Sequence, residues 1–92
     1  MDMIMRGLDL LGEIVESLWN LRFYRENLEY VELMRRADEL RERFDNVLDR
    51  VMMYIEFAYG EGEIDASTRE GFLMRLNDIN SRFKSYYRDL LY

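Results

Sequence analysis

The chain has 92 residues, a net charge of −6, and neither cysteine, histidine nor proline. Without cysteine there is no disulfide framework, thiolate zinc site or cysteine nucleophile, and without histidine the commonest general base, metal ligand and pH switch are gone. Hydrophobic residues make up 49% of the chain, too many for disorder, and the lack of proline fits helix nearly throughout.

The first segment, MDMIMRGLDLLGEIVESL, reads as a helix opening at Asp2. Its seam is Ile4, Leu8, Leu11, Val15 and Leu18, a recurrence at three and four residues. Charges recur every few positions, so the segment holds neither a signal-peptide core nor a membrane-length apolar run. The longest uncharged apolar stretch is VMMYI at 51–55. A soluble cytoplasmic protein with no membrane partner is expected.

The seam then fails. Its next positions, 22 and 25, are both arginine, and the apolar face slides to Ile14, Leu21 and Leu28. This happens inside LWNLRFYRENLEY, which holds no glycine or proline to break a helix. Two readings follow. One helix could run from about residue 2 to 58, a length of roughly 85 Å that a short partner helix cannot cover and that would force oligomerisation. The other reading, which is preferred, places a turn near Arg25–Glu29, with Asn27 as N-cap and Glu29 favourably placed in the first turn.

From Leu33 the pattern is regular: Leu33, Ala37, Leu40, Phe44, Val47, Val51, Tyr54, Ala58, with Met34, Leu48 and Ile55 widening it. It recurs as Phe72, Leu76, Ile79, Phe83, Tyr86, Leu90, flanked by Leu73 and Tyr87. Three apolar positions per heptad suit a bundle better than a two-stranded coiled coil. Between them lies YGEGEIDASTRE. Gly60 and Gly62 can adopt the left-handed conformation that ends a helix. Ser67 with Glu70 spells a capping box, and Asp65 competes as the cap. The expected fold is therefore all-α. It is a single domain, 1–92, forming an antiparallel three-helix bundle with helices at about 2–25, 28–59 and 66–91. Helices 1 and 2 become continuous only if the chain oligomerises.

Charge is unevenly placed. Residues 1–34 hold seven acids and three bases, whereas 72–92 hold two acids and four bases. Asp2, Asp9 and Glu16 repeat every seven residues on the first helix; so do Arg36, Arg43 and Arg50 on the second and Arg75 and Arg82 on the third. These rows are expected to face one another and select the helix orientation, each exposed pair adding roughly 0–1 kcal/mol. A net negative field and the lack of a phosphate loop argue against direct nucleic-acid binding.

The acid pairs Glu13/Glu16 and Glu39/Glu42 lack the histidine partner of di-iron bundles, and GEGEID lacks calcium-loop spacing. Serine has no base beside it, and Lys84 is the only lysine. No catalytic residue, metal or cofactor is expected. The informative cluster is aromatic and basic: Trp19, Arg22, Phe23, Tyr24, Arg25 and Tyr30, with Tyr92 at the end of the chain. Tryptophan, tyrosine and arginine are the residues that dominate binding hot spots.

The main expectation is a non-catalytic helical module that binds a protein partner as an adaptor, assembly factor or small regulator, and that forms a homodimer. One alternative is an acidic inhibitor occupying the nucleic-acid site of a DNA- or RNA-binding protein. Another is a small helical enzyme with an arginine–carboxylate site at a bundle interface.

Overall fold

The apolar stripes close on one another. A computed structural model describes residues 2–92 and resolves three helices: α1 (Asp2–Leu21), α2 (Tyr30–Gly60) and α3 (Ala66–Leu91). Each chain reversal is short, so α2 runs back along α1 and α3 back along α2. α1 and α3 therefore point the same way. The architecture is the expected all-α antiparallel three-helix bundle.

The chain does turn within LWNLRFYRENLEY, so the single long helix does not form. Arg22–Tyr24 make one 3₁₀ turn, and the Tyr24 carbonyl accepts from the main-chain N–H groups of Asn27 and Leu28, both at 3.0 Å. Two expected boundaries are corrected. α1 stops at Leu21 rather than near 25, and α2 starts at Tyr30 rather than near 28. Asn27 is not the cap. Glu29 holds that position in extended backbone (φ −63°, ψ 149°), and its side chain bonds no helix N–H. The reason is hydrophobic. With Glu29 as N-cap, Leu28 and Leu33 occupy the two positions of a hydrophobic staple; Leu33 is buried in the core cluster and half-buried Leu28 packs against it. That packing outweighs the polar cap that Asn27 would supply.

The second connection follows turn chemistry closely. The Gly62 N–H donates to the Tyr59 carbonyl and the Glu63 N–H to the Ala58 carbonyl, the paired bonds of a Schellman motif. Gly62 takes the left-handed conformation this needs, at φ +78°, while Gly60 stays helical. Of the two candidate caps for α3, Asp65 is the one used. Its Oδ1 accepts from the Thr68 N–H at 2.7 Å. Buried Ile64 precedes it as the apolar lead-in.

The core is one cluster drawn from all three helices, and among the described residues no polar side chain is buried in it. Phe44 of α2 stacks on Phe83 of α3 with ring centres 4.2 Å apart, the offset-stacked class of aromatic pair. On the α1–α2 seam Gly7 sits directly against α2. A Cβ there would lie 2.2 Å from Cγ2 of buried Val51. Gly7 thus fixes how near the two helices come.

The expected charge rows form no ion pair with one another among the described residues, although Glu16 and Arg82 line one groove. The ion pairs among the described residues are Arg35–Glu32, Arg35–Glu39 and Arg36–Glu32 along α2, and Arg69–Glu56 between α3 and α2. None involves α1. Asp2, Asp9 and Glu16 are all exposed, because the seven-residue row they form lies on the side of α1 away from its buried seam.

Candidate functional site

The end of α1, the turn after it and the last turns of α3 build one cleft. Leu18 and Leu90 are buried beneath it, and Trp19, Arg22, Arg25, Tyr86 and Asp89 complete its lining around about 290 Å³. Trp19 leaves α1 on the α3 side and packs against Tyr86, ring centres 4.7 Å apart and tilted by 42°. Its ring remains 37% exposed.

Arg22 follows three residues later, one helical turn on. Its guanidinium carbon lies 3.3 Å from the Trp19 ring centre and 4.7 Å from that of Phe23. Such cation–π contacts contribute roughly 0.5–1 kcal/mol at an exposed site. The consequence is positional. An arginine held by an aromatic face keeps its in-plane N–H fork for another acceptor, and among the described residues Arg22 has no ion pair or side-chain hydrogen bond. Phe23, 64% exposed, stands beside it.

Two side chains from the connection reach the carboxyl end of α3. Arg25 Nη1 donates to the Asp89 carbonyl at 3.5 Å, and the Tyr30 hydroxyl donates to the Leu91 carbonyl at 3.3 Å. The last carbonyls of a helix have no partner within it, and cations are favoured there. The 22–30 connection and the end of α3 are thereby tied together.

Of the seven residues singled out in the sequence, the structure brings Trp19, Arg22, Phe23 and Arg25 into one surface. Tyr30 joins its edge through the Leu91 carbonyl. The Tyr24 ring is exposed but does not line the cleft, and Tyr92, 90% exposed, makes no side-chain contact with it. Sequence reading missed the α3 wall: Tyr86, Asp89 and Leu90. The signal was present in YYRDLLY, where Tyr86 and Leu90 read as seam. Counting back from the loop sets Tyr86 level with the end of α1.

A second cleft, between α2 and α3, is lined by Arg41, Asp45, Asn80, Phe83, Lys84 and Tyr87 around about 360 Å³. Two of its side chains, Arg41 and Tyr87, are already engaged. The Tyr87 hydroxyl donates to Asp38 Oδ1, and this bond pushes the phenol pKa up. Arg41 lies over the same ring at 5.6 Å. Among the described residues no three acidic side chains converge to hold a metal ion, and no helix is long and apolar enough to cross a membrane.

No family model, curated protein or solved structure matches this chain. Function is therefore argued from the surface itself.

Proposed function

We propose that the chain is a non-catalytic helical interaction module, an adaptor or small regulator, that binds a protein segment in the Trp19–Arg22 cleft. The observation that carries this reading is the guanidinium of Arg22, held over Trp19 with its N–H fork uncommitted, next to exposed Phe23. That pairing suits a carboxylate beside an aliphatic or aromatic side chain. The apolar group would enter against Trp19, Tyr86 and Leu90, and the carboxylate would take the fork of Arg22. Arg25 at the rim adds a second positive charge, so the two arginines outnumber the one carboxylate of the lining, Asp89. Aromatic and arginine anchors at the edge of a preformed pocket are where binding energy concentrates. The composition supports a binding role over chemistry, since the chain offers no histidine or cysteine.

Selection of a displayed random-peptide library on the immobilised protein tests this. Peptides should enrich for an aspartate or glutamate adjacent to a large apolar residue. Arg22→Glu and Phe23→Ala change exposed side chains and leave the core intact. Each should weaken the selected peptides about tenfold or more, the scale of a single hot-spot residue. Equal binding to wild type and both variants rules the cleft out.

A further inference from the structure

The other flank of α1, facing α2, carries a second groove of about 210 Å³ lined by Met3, Arg6, Gly7, Leu10, Val51 and Tyr54, among others, with Arg50 on its α2 rim. Gly7 meets buried Val51 at its floor, and the apolar side chains that α1 contributes meet solvent. Met3 is 56% and Leu10 37% exposed. Phe57 stands seven residues beyond Arg50, on the same edge of α2, and is 66% exposed; Met53 lies between them at 69%. Contiguous exposed apolar surface of this kind marks an interaction face.

The charges along this flank show what fits it. Met3, Arg6, Leu10, Glu13 and Ser17 follow one another at steps of three and four and are all exposed, a row on the solvent side of α1 in which two apolar residues alternate with polar and charged ones. Arg6 lies just before Leu10 and Glu13 just after it. The two are about two turns apart along one helix, too far to pair with each other, and neither has an ion pair among the described residues. Laid antiparallel against a copy of itself and centred on Leu10, the row brings each Arg6 to the other copy's Glu13. A two-fold interface needs this self-complementarity.

We propose that this flank is where a second copy of the chain docks, α1 against α1 antiparallel about Leu10, with Arg50, Met53 and Phe57 of α2 closing over the sides. The Trp19 cleft lies on the α3 side of α1, so a dimer built this way presents two clefts.

Sedimentation velocity across a concentration series, on wild type, Arg6→Glu, Glu13→Arg and the double reversal, tests it. Wild type should sediment as a dimer. Each single reversal turns two attractive pairs into repulsive ones and should raise the dimer Kd about tenfold, and the double reversal should restore it to within about threefold. Circular dichroism checks the fold of each variant. If Arg6→Glu loses helix, Glu13→Arg and Phe57→Ser carry the same test from other positions. A wild-type mass that stays at 11.3 kDa throughout the series overturns the proposal and leaves the groove to a different protein. So does a dimer indifferent to the single reversals, or one that the double reversal fails to restore. Peptide binding at the Trp19 cleft is read separately and is unaffected by any of these results.

Discussion

At the scale of single residues, α1 carries two glycines in opposite situations. Both cost a helix about 1 kcal/mol relative to alanine. At Gly12 nothing lies within 4 Å of the position a Cβ would take, whereas at Gly7 that position overlaps the Val51 side chain. Gly12→Ala should therefore stabilise the fold by roughly 0.5–1 kcal/mol. Gly7→Ala forces a methyl into a packed seam, where overfilling costs about 1–3 kcal/mol, so the net change is a loss of about 1 kcal/mol. Urea midpoints of the two variants, read against wild type, check that the signs are opposite. The same scale explains the cleft. Arg22 is placed by the Trp19 and Phe23 rings rather than by an acid, which leaves its charge for a partner.

At the scale of elements, both reversals are set by local chemistry, but of different kinds. The α2–α3 connection was legible down to two candidates at each point: Gly60 or Gly62 for the positive φ, of which Gly62 takes it, and Ser67 or Asp65 for the cap, of which Asp65 serves. The α1–α2 connection was legible only as a break in the seam. Its boundaries were misplaced because Asn27 reads as a better cap than Glu29, and a cap preference is a local signal. The Leu28–Leu33 staple lies in the same window, but that it outweighs the Asn27 cap depends on the core against which Leu28 packs, which is tertiary. The charge rows failed for a related reason. A seven-residue spacing shows that acids share a face; it does not show which face the neighbouring helices cover. The aromatic–basic half of the cleft was visible because four of its residues are nearly consecutive. The Tyr86 wall was not, because a seam position facing a cleft has the same spacing as one facing the core.

Helix starts also make a pH prediction. The Arg35 and Arg36 guanidinium groups, bonded to Glu32 in the first turn of α2, hold its carboxyl at a pKa of about 2. The Thr68 N–H lowers Asp65 in the same direction. A carboxylate whose pKa is depressed on folding stabilises the fold above its unfolded pKa, and that contribution is lost as pH falls toward the folded value. The thermal midpoint, followed by circular dichroism, should therefore decline as pH drops from about 4.5 to 2. Glu32→Gln should make that decline shallower while leaving the neutral-pH fold intact.

At the scale of the molecule, the bundle is a rod of 50 × 16 × 15 Å with a radius of gyration of 15.1 Å, against about 12 Å for a compact domain of this length. A rod one bundle thick has a narrow core and long flanks, and α1 touches both neighbours. Its two sides therefore become the two candidate surfaces: the cleft toward α3 and the groove toward α2. Under the proposed function, a connecting or regulatory module would use these two surfaces of different chemistry for different partners.

Trp19 is the only tryptophan in the chain and lines the proposed binding cleft, so its fluorescence reports directly on occupancy. The decisive measurement is a titration of the protein with an enriched peptide carrying an acid beside a large apolar residue, following Trp19 emission in wild type and in Arg22→Glu. The account predicts a saturable change in wild type that is abolished or shifted to much higher concentration in the variant. A peptide that binds by calorimetry yet leaves Trp19 emission unchanged, or that binds the variant equally well, would contradict it.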